Sequence, residues 1–122
     1  MKENKGYRNL KAWQKANELA HKIYDATERF PKSELFALTS QMRRAAVSVP
    51  ANIAEGYTRD SFKEKRNFYG ISLSSLAELE FYIDFSWERK YYELVLYRNL
   101  VDVQGETARV LTGLIKSLVT RN

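Results

Sequence analysis

Cysteine is absent from the 122 residues and histidine occurs once, at His21. Disulfide frameworks, thiolate catalysis and Cys/His zinc sites are therefore excluded, and hydrophobic packing must hold the fold. Apolar runs of membrane-spanning length are missing, and the opening MKENKGYRNLKAW is charged with no apolar leader segment. Both absences predict a soluble protein of the cytoplasm with no membrane partner. Only two prolines and five glycines punctuate the chain, too few for a turn-rich all-β fold. Neither G-x-G-x-x-G nor a Walker pattern occurs around Gly56 or Gly70, which removes nucleotide hydrolysis from consideration.

What is present is helical spacing. Apolar residues recur three and four apart over long stretches, predicting helices at Leu10–Arg29, Glu34–Tyr57, Phe62–Arg89 and Tyr92–Leu118. Short connections make sequential helices antiparallel, so the expected fold is all-α, an up-down-up-down four-helix bundle over 10–122, preceded by a basic arm at 1–9. The first helix turns Trp13, Ala16, Leu19, Ala20, Ile23 and Thr27 inward and ends at Phe30-Pro31, where proline cannot continue it. Ser33 is the expected cap of the second helix, with Glu34 favourably placed in its first turn. That helix turns Leu35, Leu38, Met42, Ala45, Ala46, Val49 and Ile53 inward, and Pro50 should kink it.

The third helix opens on a capping box, Ser61 to Glu64, and its core face is Phe68, Tyr69, Ser72, Leu73, Leu76, Leu79, Ile83 and Trp87. Its other side is apolar too: Ile71, Phe81, Tyr82 and Phe85 project away from that core. A helix apolar nearly all round should be covered twice, and a lone bundle covers it once. The flank of the second helix adds Phe36 and Val47. These six residues are the expected contact surface of a homo-oligomer. The fourth helix, by contrast, is cleanly amphipathic, with Leu96, Leu100, Val103, Thr107, Val110, Leu111, Leu114 and Leu118 inward and Arg98, Asp102, Arg109 and Lys116 outward.

Formal net charge is +5, and Lys2, Lys5, Arg8, Lys11 and Lys15 against Glu3 place most of it in the first fifteen residues. Such an arm serves either solubility or phosphate binding. A second group, Arg43, Arg44, Arg59, Lys63, Lys65 and Arg66, surrounds the second connection with Tyr57 and Phe62 interleaved, the composition of an RNA- or DNA-contacting patch; Asp60 and Glu64 dilute it. The alternative for these charges is a set of solvated helix-end salt bridges. Glu18 and His21 form one E-x-x-H, but a di-iron bundle needs two, and helical phase puts this pair on the wet side; no metal or other cofactor is expected. Glu55, Glu78 and Glu80 lack a nucleophile or oxyanion cradle, so no catalytic residue is assigned. Glu80 falls near the core face of its helix, which predicts an ion pair with Arg43 or Arg44.

The segments LTSQMRRAAVSVPANIAEGYTR (Leu38–Arg59) and FYGISLSSLAELE (Phe68–Glu80), with LKAWQKANELAHKIY (Leu10–Tyr24), resemble the 23S rRNA intervening-sequence protein family, often called four helix bundle proteins. The resemblance runs from about Leu10 to Leu118. It implies an antiparallel bundle assembling as a ring, with a pentamer as in the more distantly similar accessory proteins of diversity-generating retroelements. Arg43 and Arg44 match the family's paired arginines, and Glu55, Gly56 and Arg59 match its A-E-G-x-x-R-like turn. Ser74, where glycine is common, and the aromatic run Phe81 to Trp87 depart from the pattern. A non-enzymatic oligomer binding RNA or other nucleic acid is the function implied; a structural or protein-binding assembly without nucleic acid is the alternative.

Overall fold

The structure, a computed structural model, describes residues 6–120, with side chains described through Leu118. Four α-helices make up nearly all of it, and no strand occurs among the described residues: α1 (Lys11–Thr27), α2 (Leu38–Tyr57), α3 (Phe62–Glu88) and α4 (Leu94–Thr120). Each packs against two neighbours, α1 on α2 and α4, and α3 likewise on α2 and α4, around one apolar core. Met42, Val49 and Ile53 of α2 meet Leu76, Leu79 and Ile83 of α3, Leu19 and Ile23 of α1, and Leu100 and Leu111 of α4, all fully buried. Polar bonds fix the register. Ser72, Ser75 and Ser86 of α3 donate to the Val49 carbonyl, the Ser48 hydroxyl and the Met42 sulfur of α2, so positions rise along one helix as they fall along the other. Between α3 and α4, Gln104 donates to the Leu76 carbonyl at 3.0 Å, and between α1 and α4, Lys15 meets Glu106 at 3.2 Å.

Helix boundaries follow local chemistry. The Thr27 hydroxyl donates to the Ile23 carbonyl at 2.8 Å and α1 stops there, two residues short of the expected Arg29. Helix α2 does not begin at Glu34, and Ser33 does not cap it. Lys32–Glu34 form a separate 3-10 turn, and α2 starts at Leu38. Glu34 itself makes the junction, accepting from the Leu38 N–H at 3.4 Å and from the Tyr91 hydroxyl at 2.8 Å. Leu35, expected in the core, is consequently exposed. Through Pro50, which is buried, α2 continues as a single helix. Nearby side chains take up its carbonyls, Asn52 donating to Ser48 O at 2.9 Å and Ser72 to Val49 O at 2.8 Å. Gly56 is required where α2 meets α3, because a Cβ there would lie 2.7 Å from the Tyr69 ring.

At the start of α3, Ser61 Oγ accepts from the Glu64 N–H at 3.0 Å, as the capping box predicts. At its end Lys90 takes a left-handed conformation, φ 65°. The Tyr91 N–H reaches Ser86 O and the Lys90 N–H reaches Trp87 O, the pair of bonds that closes a Schellman motif. Glycine usually holds that position because a Cβ is disfavoured there. Lys90→Gly is therefore expected to raise stability by about 0.5–1 kcal/mol in urea unfolding; an unchanged midpoint would show that the lysine sits without strain. Phe30, Tyr91 and Tyr92 stack beside this turn, ring centroids 5.0 and 5.8 Å apart. At the opposite end a 3-10 turn, Gly6–Asn9, lays Tyr7 on Trp13 and the Arg8 guanidinium 4.8 Å over the Trp13 ring. Lys2, Lys5 and Glu3 of the expected arm lie outside the described residues.

Candidate assembly face and basic residues

On α3 the residues Ile71, Phe81, Tyr82 and Phe85 recur at helical spacing on the side away from Leu76, Leu79 and Ile83. Phe81 is 61% exposed, Ile71 and Phe85 are exposed, and Tyr82 is half-buried. The rings gather into one strip: Phe81 stacks on Phe85 at 5.8 Å and 24°, and meets Tyr82 edge-on at 5.8 Å. The Tyr82 hydroxyl donates to Glu78 at 2.9 Å. Desolvation first, and that hydrogen bond second, push its ionisation above the ordinary tyrosine range.

An open groove of about 730 Å³ runs over the outer surface of α2, lined by Tyr24, Leu35, Phe36, Arg44 and Val47 among others. Phe36 stands 93% exposed, in the turn before α2 and not on the helix flank where the sequence placed it. Two apolar contributors, Tyr24 and Leu35, were missed; Leu35 had been assigned to the core through the wrong helix start. Val95, 83% exposed at the beginning of α4, was missed as well and lies away from this face.

The six basic residues of the second connection are not brought together. Arg43 is anchored on α1, with Nε donating to Thr27 Oγ1 at 2.8 Å, its guanidinium 4.6 Å over the Tyr24 ring, and Glu28 at 3.9 Å. Arg59 pairs with Glu55 and covers the Phe68 ring at 4.7 Å. Lys65 donates to Tyr57 O at 2.8 Å and so caps the last carbonyls of α2. Arg44, Lys63 and Arg66 are exposed and make no ion pair among the described residues. Arg44 is about 20 Å of helix from the turn that carries Lys63 and Arg66. Glu80 is exposed, so the buried ion pair expected for it with Arg43 or Arg44 does not form; Arg43 bridges to Glu28. His21 is exposed too, and no group of three metal-ligating side chains occurs among the described residues. No described helix is long and apolar enough to cross a membrane.

The family model of the 23S rRNA-intervening sequence protein matches residues 8–113. The fold is similar to the crystal structure of a protein of unknown function from the S23 ribosomal protein family of Bacteroides thetaiotaomicron VPI-5482. The two share 23% sequence identity at a TM-score of 0.78, over 86% of this chain and 95% of that one. No curated protein matches the chain. A match over nearly the whole length, on a fold of four packed helices, places this chain in the 23S rRNA-intervening sequence protein family.

Proposed function

We propose that this protein is a non-catalytic, cytoplasmic bundle of antiparallel, up-down-up-down helices that assembles into a homo-oligomeric ring and takes RNA or other nucleic acid as its partner. The observation that carries the reading is the strip of exposed Ile71, Phe81 and Phe85 with half-buried Tyr82 among them. Covering such side chains stabilises by up to roughly 1.5–3 kcal/mol each, and several together offset much of an association cost of about 4–15 kcal/mol. The strip on α3 and the groove holding Phe36 and Val47 on α2 are different surfaces. A contact joining one to the other is head-to-tail, and such a contact makes a ring where the rotation between neighbours closes and a filament where it does not. Five subunits is the number implied by the resemblance to the retroelement accessory proteins. Repetition around a ring would multiply whichever cationic surface a single chain exposes.

Light scattering at micromolar concentration is expected to give a multiple of 14.3 kDa. A 14.3 kDa particle would sink the assembly. One observation favours a second reading, a structural or protein-binding assembly without nucleic acid: Arg43, Arg59 and Lys65 are already engaged within the chain. An electrophoretic shift of rRNA fragments at low salt separates the two, since phosphate contacts weaken steeply as salt rises.

A further inference from the structure

A positive excess of the described residues occurs in a second place besides the second connection. It lies on the opposite side of the bundle, along the seam of α1 and α4. On α1, Lys11, Lys15 and Lys22 fall on one line at helical spacing, with Arg29 in the turn just past its end; on α4, Arg98, Arg109 and Lys116 fall on another. The Lys15–Glu106 bridge at 3.2 Å sets the two lines side by side. Lys15 also meets Glu18 at 3.7 Å, so the two glutamates of the seam are consumed by a single lysine. Six cations are left, Lys11, Lys22, Arg29, Arg98, Arg109 and Lys116, none ion-paired among the described residues, against two carboxylates, Asp25 and Asp102. The group from Arg43 to Arg66 also has an excess, six cations against Glu55, Asp60 and Glu64, but Arg43, Arg59 and Lys65 are already engaged within the chain, which leaves it three free cations among the described residues.

Granting that the protein binds nucleic acid, we infer that its contact surface is this α1–α4 seam and that it holds the phosphate backbone of a double helix, independent of base sequence. Spacing supports a backbone reading. Lys11 to Lys22 and Arg98 to Arg109 each span about 16 Å of helix, so cations stand at intervals along a strip longer than 25 Å or so. Gly113 and Gly105 sit in the α4 line, and a side chain at Gly113 would meet nothing within 4 Å. The chain's own packing therefore does not need that glycine, while its absent side chain lets a phosphate come close to the helix. Bases are a different matter. Single strands are held by aromatic platforms, and neither line contains an aromatic residue. An anionic membrane surface is disfavoured because the apolar side chains exposed on α4, Leu94, Val95 and Val101, flank the cations without forming a continuous apolar face to insert.

The test uses the full chain with a duplex RNA and a duplex DNA of arbitrary sequence, the separated single strands, and vesicles of anionic phospholipid. Wild type is expected to bind both duplexes, more tightly than single strands or vesicles, with affinity falling steeply in salt. Arg98→Glu/Arg109→Glu/Lys116→Glu should weaken duplex binding at least tenfold and flatten the salt dependence, with light scattering unchanged. Arg44→Glu/Lys63→Glu/Arg66→Glu should bind as wild type. If the second variant loses binding and the first keeps it, the seam is wrong and nucleic-acid binding stands. Preference for single strands or vesicles also overturns the inference. No binding by wild type to any nucleic acid removes the functional reading itself.

Discussion

A chain carrying Phe81→Glu and Phe85→Glu is expected to scatter as a 14.3 kDa monomer while keeping its helix content. Both rings stand outside the core of Leu76, Leu79 and Ile83, so their replacement leaves no cavity. Glutamate is at least as good a helix former as phenylalanine, and surface changes of this kind move stability by about 0.5 kcal/mol or less. Within an assembled particle the same carboxylates would be stripped of water against Leu35, Phe36 and Val47, with Arg44 the one exposed cation of the groove, a penalty of several kcal/mol. The effect is therefore all on association. Circular dichroism separates it from unfolding, and Val95→Glu serves as the comparison: Val95 is at least as exposed but lies off the strip. That variant should assemble normally. An oligomer that survives both phenylalanine changes would place the subunit contact elsewhere on the bundle.

The strip was legible because periodicity alone tells a helix with one apolar side from a helix with two. Ile71, Phe81, Tyr82 and Phe85 could not share a face with Leu76 and Leu79, whatever the neighbours did. Helices α3 and α4 were read to within two residues at each end for a similar reason, their stops being local: Ser61 caps, and the chain turns after Arg89. The start of α2 was not local. Glu34 is held by Tyr91, fifty-seven residues away, and no pattern near Ser33 reports that bond. Moving the helix start by four residues exposed Leu35 and put Phe36 in a turn.

Charge was the least legible quantity. Closeness in sequence suggested one patch from Arg43 to Arg66, but α2 lies between the two ends of that group, and Thr27, Glu55 and the α2 carbonyls claim half of it. The α1–α4 seam was half visible, since Arg98, Arg109 and Lys116 were read as a wet face. Its positive excess was not, because that depends on one lysine answering for two glutamates on different helices. Apolar faces are written into a helix's own period. Electrostatic faces depend on which helices adjoin.

Alkali should unfold this protein, and Tyr92 should be the chief reason. Its hydroxyl is buried and donates to the Ile83 carbonyl at 2.6 Å. Burial pushes its ionisation far above the ordinary tyrosine value of 10; Ser86 opposes this through a hydrogen bond, and nearby Asp84 and Tyr97 add smaller upward pushes. Tyr69 is raised too, again mainly by burial. In the unfolded chain both lose their protons near pH 10, whereas in the folded chain they keep them. Above pH 10 the unfolded state thus binds fewer protons, and stability falls with rising pH by up to about 1.4 kcal/mol per pH unit for each such tyrosine. Below pH 10 neither group contributes a slope. Lys15 also has its ionisation raised by Glu106, and its pairing is lost in the same range, but at the surface that adds little. Urea midpoints measured from pH 9 to about 11.5 should drop steeply past 10. Tyr92→Phe should lower stability at pH 7 by about 1 kcal/mol through the missing hydrogen bond, and flatten the alkaline fall. Equal slopes in the two proteins would mean that Tyr92 ionises without unfolding the chain, and that its hydroxyl is less enclosed than its bond to Ile83 indicates.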